Sequence, residues 1–289
     1  MSYVRWHDRP QLRRPVLVAA FEGWNDAGEA ATTALRWLHT ATDAREFATV
    51  DPEDFYDFTV ARPSVRLDAG ATRRIEWPTP TFSAAVIDGA ERDVVFLVGI
   101  EPALKWRSFT EAVLEVAGAL GVELVFTIGA LLADVPHTRP VRVSGTATDA
   151  EVIARLGFSR SRYEGPTGIV GVLSDACAAA GLRCASLWAT TPHYLRETAS
   201  PKAALALVER IDEIVGLRLD TTELEIASAA YERQVNEMLQ GDDDVVDYVR
   251  RLEEEGPDDD AEDEPFELPS SDQLAAEVER FLRDHRGNG

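Results

Sequence analysis

Basic residues are scarce. Lys and Arg number 29 against 51 Asp and Glu, a net charge of −22 over 289 residues, and the isoelectric point is near 4.6. A protein that grips nucleic acid neutralises phosphates with clustered cations, and an anionic membrane surface makes the same demand, so neither partner is expected. The deficit is uneven: residues 241–289 hold 18 acids and five bases, net −13, which leaves −9 for residues 1–240. Cysteine is nearly absent. Cys177 and Cys184 are the only two, and both read as buried thiols of a reduced compartment. No His/Cys spacing, HExxH motif or Walker-type loop suggests a metal or nucleotide, so no cofactor is expected. A Gly-x-Ser-x-Gly elbow is missing too, against the usual serine hydrolase. No stretch approaches the ~18 apolar residues of a membrane span. The start, MSYVRWHDRPQLRRP, lacks the apolar centre and cleavage site of a secretory signal. A soluble cytoplasmic protein is the expectation.

What is present is an alternation of apolar runs and helical patterns. Residues 15–23, 93–102, 123–136 and 184–192 read as buried strands, being short, continuous and stopped by Gly or Pro. Helical spacing follows from Asn25 or Asp26 as a cap, from about Ser108 to Gly121, over 168–181, and from Pro201 to about Gly216. Strands alternating with helices of this length predict an α/β fold, a mostly parallel sheet with helices on both faces. Residues 52–90, with Pro52, Pro63, Pro78 and Pro80, break the rhythm and read as an inserted β-hairpin. Beyond Leu219, an apolar stripe of Leu224, Tyr231, Val235, Met238, Val245, Val249 and Leu252 predicts a helical appendage. The expected divisions are a core over 1–217, a helical appendage over 218–252, and an acidic linker with a short amphipathic helix over 253–289.

In open α/β sheets, ligands bind beyond the carboxyl ends of the strands. The loop FEGWNDAG supplies Glu22, Gly23, Trp24 and Asp26, and reads either as pocket wall or as a tight turn with a helix cap. GIEPALKWRSF offers Glu101, with Lys105 and Arg107 in reach, as base, acceptor or structural ion pair. PHTRP presents His137 and Arg139 from a stiff backbone, suited to an anion or a proton transfer, or equally to local carbonyls. YEGPTG places Gly165 and Gly168 before a helix, where free amides hold anions, and TPHY adds His193.

VLVAAFEGWNDAGEAATTAL, VGIEPALKWRSF, GALLADVPHTRPVRVSGTA, YEGPTGIVGVLSDACAAAG and WATTPHYLRETASPKAALALVERI resemble the proteasome assembly chaperone 2 family, in its actinobacterial branch. The resemblance covers roughly residues 14–250. It implies a core like that of purine nucleoside phosphorylases, a hairpin used in trimeric self-association, and a C-terminal helical piece over a pocket. The C-terminal HRGNG departs from the hydrophobic–Tyr–X ending of family members that dock on the proteasome ring. Two functions remain open. One is an oligomeric scaffold for protein partners, proteasome subunits among them. The other is a small-ligand binder or enzyme, phosphorylase-, hydrolase- or ligase-like, holding a small anion among the ten strand-end residues.

Overall fold

The computed structural model describes residues 2–68, 72–241 and 243–255. In chain order the elements are β1 (Val4–Trp6), β2 (Val16–Glu22), α1 (Ala30–Ala41), β3 (Arg45–Val50), β4 (Ser64–Asp68), β5 (Thr72–Glu76) and β6 (Thr81–Ala85). There follow β7 (Val94–Ile100), α2 (Trp106–Leu120), β8 (Leu124–Ala133), β9 (Val143–Ala147), α3 (Ala150–Leu156), α4 (Ile169–Ala179) and β10 (Arg183–Pro192). Three helices close the order: α5 (Pro201–Val215), α6 (Thr222–Leu239) and α7 (Asp243–Glu255). Residues 161–166 belong to a second unit, distinct from the one that carries all these elements.

Eight strands form one sheet in the order β1-β3-β6-β7-β2-β8-β10-β9. Four adjacent strands, β7, β2, β8 and β10, run parallel. Their continuous apolar runs are needed because both faces are covered. In β2, Val16, Val18 and Ala20 enter one core, while Leu17, Ala19 and Phe21 enter the other. The first core is closed by α1 and α5, the second by α2 and α4. Full burial of a side chain such as Phe21 contributes about 1.5–3 kcal/mol. Gly121, at φ +67, supplies the left-handed turn that ends α2. Asp93, fully buried just before β7, accepts from the Arg13 guanidinium at 2.7 Å and the Ile87 amide at 3.0 Å. Burial opposes the charge, but those donors prevail and hold the carboxyl below its ordinary range.

The expected α/β architecture stands, with four differences. The insertion is narrower than 52–90: the hairpin is β4–β5 alone, a separate two-stranded sheet, and β6 joins the main sheet between β3 and β7. The TFSAA run of β6 is buried on both faces, which suits an interior strand. Elements β1, β3, β9 and α3 escaped the sequence reading, being short or partly exposed. Met238 leaves the apolar stripe and is 58% exposed; α6 ends at Leu239, and Leu239 packs inward with Tyr231 and Val235 instead. Residues 253–255 belong to α7, whereas the expected linker beyond them and the amphipathic helix of 270–285 lie outside the described residues. Both cysteines are free and buried, as expected.

Candidate functional site

The ten candidate residues fall into separate groups. Register pairs Glu22 with Ile100, so the loops after β2 and β7 start side by side. The Glu101 amide donates to the Glu22 carbonyl at 2.9 Å. One Glu101 oxygen, Oε1, accepts from Asn25 Nδ2 at 3.0 Å and from the Ile169 amide at 2.8 Å. Glu101 is thus the side-chain cap of α4, its charge matched to the positive end of that helix. Gly168 is what permits this approach, since a Cβ there would lie 2.2 Å from Asn25 Nδ2 and 2.6 Å from Glu101 Oε1. Gly23, at φ +124, takes a backbone turn that other residues avoid, with Glu101 Cβ beside it. The Ile169 amide, read as free to hold a small anion, is therefore occupied by the chain's own carboxylate. Lys105 does not reach toward Glu101 either; it pairs with Asp54 at 2.8 Å.

Asp26 is buried and caps α1 across the short turn Ala27–Glu29. It accepts from the Ala31 amide at 2.7 Å, the Thr32 amide at 3.3 Å and the Thr32 hydroxyl. Burial raises its carboxyl above the ordinary value in spite of those donors. Glu22 pairs with Arg36. Glu22, Gly23 and Asp26, with Glu29, Thr32 and Arg36, line a cleft of about 330 Å³. Trp24, in the same loop, is 58% exposed.

His137, Arg139 and His193 belong to a second group, where α6 and α7 meet the loops after β8 and β10. His137 is buried. Its amide donates to the Tyr194 hydroxyl oxygen at 2.8 Å, and its Nδ1 lies 2.8 Å from the same oxygen. Nε2 is 3.2 Å from Asn236 Oδ1. With the Tyr194 oxygen already accepting the amide, its own O–H points at Nδ1, and Nε2–H donates to Asn236; the imidazole is neutral. Burial, the largest influence, lowers the histidine below its ordinary value. Lys202 Nζ donates to the His137 carbonyl at 2.6 Å and pairs with Glu232 at 2.7 Å. Thr138 donates to the Glu253 carboxylate, and Arg139 to the Glu253 carbonyl. His193 Nδ1 lies 3.2 Å from Asp134, which also accepts from Tyr248 at 2.8 Å. The tenth candidate, Gly165, sits in the separate 161–166 unit, where the Tyr163 hydroxyl donates to the Pro166 carbonyl at 2.7 Å. A Cβ on Gly165 would meet that hydroxyl at 2.6 Å.

The sequence reading named Asn25 only as a possible helix cap, not as a partner of Glu101, and missed Thr32, Arg36, Tyr194, Lys202, Glu232, Asn236, Tyr248 and Glu253. Tyr194 was legible in TPHY, beside His193. The polar positions of α6 and α7 look like solvent-facing helix residues until the partner loops are in place. Among the described residues, no group of three or more His, Cys, Asp or Glu could hold a metal ion, and no helix is long and apolar enough to cross a membrane.

The class these observations define is an α/β protein whose sheet is layered between helix pairs, with strand-end polar groups turned to capping and bracing. The chain belongs to the PAC2 family, whose model matches residues 20–239. It is similar to a solved PAC2 family protein from Streptomyces avermitilis, with 46% identity and a TM-score of 0.75 over 81% of this chain and 99% of that one. The Mycobacterium tuberculosis proteasome-assembly chaperone homologue Rv2125 matches at 42% identity and TM-score 0.73, over 81% and 99% of the two chains. Pyrococcus furiosus PbaB, an archaeal proteasome activator, shares the fold at 18% identity and TM-score 0.67, covering 82% of this chain and 98% of its own. No curated protein matches the sequence.

Proposed function

We propose that this protein is a self-associating scaffold for protein partners, of the proteasome-assembly-chaperone kind, with proteasome subunits as its partners. The observation that carries the reading is the hairpin β4–β5. Strand alternation sets Val65, Leu67 and Ile75 on one face, and the register places Val65 opposite Ile75. These three side chains and Trp77 are between 48% and 62% exposed. An isolated two-stranded hairpin is at best marginally stable in water. Covering its apolar face with a second copy removes that surface from solvent, at about 1.5–3 kcal/mol per fully buried side chain. A trimer is the assembly expected, working in the cytoplasm, where the free thiols Cys177 and Cys184 fit a reducing environment. The name of the similar Mycobacterium tuberculosis protein supports the partner class.

The test is a light-scattering mass of the full chain, alone and mixed with purified proteasome subunits. The reading predicts three times the 31.8 kDa chain mass and co-elution with at least one subunit type. A monomer at all concentrations overturns the scaffold; an oligomer that binds no subunit overturns the partner class alone.

A further inference from the structure

The hairpin β4–β5 leaves and rejoins the body at the carboxyl end of the parallel strands. Strand β6 runs antiparallel to β7 with Thr81 opposite Val98, so β6 starts where β7 ends. The Val50 amide, at the end of β3, donates to the Pro80 carbonyl at 2.9 Å. The hairpin is also the cationic piece of an acidic chain. Residues 62–77 hold Arg62, Arg66, Arg73 and Arg74 against Asp68 and Glu76, net +2, where the whole chain is −22. Register sets Leu67 opposite Arg73 and Val65 opposite Ile75, so Arg73 shares the exposed apolar face. On the other face Arg66 and Arg74 stand directly opposite, a like-charge pairing that costs stability.

The same end of the sheet carries a second exposed apolar surface, made by Trp24, Leu104 and Leu131. A Cβ on Gly23 would lie 3.4 Å from Glu101 Cβ, so the loops that carry Trp24 and Leu104 touch. The Ala130 amide donates to the Asn25 carbonyl at 2.9 Å, which sets Leu131 beside the first of those loops. Large apolar side chains grouped at a surface mark an interaction site, and Trp is a frequent anchor of such sites. Residues 22–29 hold Glu22, Asp26 and Glu29 and no Lys or Arg. Asp26 is buried in its cap and Glu22 is drawn to Arg36, which leaves Glu29 as the more exposed carboxylate. Beyond Leu104, Lys105 is held by Asp54 and Arg107 is exposed, so the acidic half of this surface is that of Glu29.

We infer that the hairpin of one copy seats on the Trp24–Leu104–Leu131 surface of the next, with Val65, Leu67 and Ile75 over Trp24 and Arg73 against Glu29. The inference rests on the self-association proposed above and names the surface that receives the hairpin. The contact is head-to-tail: each copy gives a hairpin and receives one, so three copies close into a ring. Rotation about an axis along the strands leaves each group at its own level, so a hairpin and a seat at one end of the sheet meet all round that ring. Val86, exposed one residue beyond β6, lies at the opposite end and does not. Ile226 and Met238, both exposed, stand about 18 Å apart along α6 and form no patch. The seat uses outward side chains alone, since the amides of Glu101, Ile169 and Ala31 stay bonded within the chain.

Sedimentation velocity of the full chain tests the contact. Trp24→Asp should sediment as a monomer at concentrations where the native protein is an oligomer, with an unchanged far-UV circular dichroism spectrum. Arg73→Glu and Glu29→Arg should each weaken association about tenfold, and the two together should return it to within about threefold of native. A native protein that is monomeric at every concentration would overturn the self-association and this contact together. Where the native protein assembles, three results would overturn the contact alone. One is Trp24→Asp assembling as the native protein does, which puts the hairpins on one another or on a different face. The others are a single reversal that leaves association unchanged, and a double reversal no tighter than either single variant. The charge reversal keeps the test decisive even if Trp24→Asp fails to fold.

Discussion

The hairpin β4–β5 and the loops at the carboxyl end of the sheet make opposite use of their side chains. The loops carry the residues that look catalytic, yet Glu101 caps α4, Asp26 caps α1 and His137 has both ring nitrogens engaged. The hairpin pairs Arg66 with Glu76, yet Val65, Leu67 and Ile75, with Arg73 on the same face, meet solvent. Polar groups satisfied within the chain have little left for a ligand, whereas exposed apolar side chains on a thin hairpin lack a partner. The contrast moves the search for function from the strand ends to the protein's outer surface.

The largest effect expected from breaking this contrast is on assembly. Replacing Leu67→Asp and Ile75→Asp together should reduce the oligomer to monomer in sedimentation velocity. Far-UV circular dichroism should change little, because β4 and β5 form a sheet of their own. Next comes Gly168→Ala, which drives a methyl into Asn25 and Glu101. A loss of about 3 kcal/mol is expected, lowering Tm by roughly 6–12 °C in calorimetry.

Two buried carboxyls should then separate by the sign of their pH dependence in denaturant titrations. Asp93 is held below its ordinary range, so its contribution is present above that range and lost as the pH falls through its folded value. Asp93→Ala should cost about 2–3 kcal/mol at neutral pH, and less in acid. Asp26 is held above its ordinary range, so its protonated form is favoured by the fold. That contribution is complete below the ordinary range and fades as the pH rises through the folded value. Asp26→Asn should therefore be milder at pH 7 than Asp26→Ala, for which the lost cap costs about 1–2 kcal/mol. The smallest effect belongs to Arg36→Ala. Its pair with Glu22 is about half exposed, at 51% and 42%, and should contribute about 0.2–1 kcal/mol.

Much of the sheet was legible from the sequence, and the reason is burial. The strands β2, β7, β8 and β10 are covered on both faces, so their apolar runs are unbroken, and the helices between them repeat at 3.6 residues. Edge strands lack that signal: β1 has three residues, and β9 is only half-buried along most of its length. Asp26 was legible as a cap because its partners lie five and six residues away. The cap on α4 was not, because Glu101 and Ile169 are 68 residues apart. Distance along the chain also hid the contacts of His137 with Asn236 and of Arg139 with Glu253, separated by 99 and 114 residues. The reading of Gly168 as part of an anion site identified a close approach but misassigned its occupant, which is a side chain of the protein itself.

The contrast between hairpin and strand-end loops is tested most directly by hydrogen exchange of the full chain at high and low protein concentration. Amides of β4 and β5 should be protected in the concentrated sample and lose that protection on dilution, while those of Glu101, Ile169 and Ala31 stay the same in both. Hairpin amides that exchange equally fast at both concentrations, or strand-end amides that lose protection on dilution, would contradict the account.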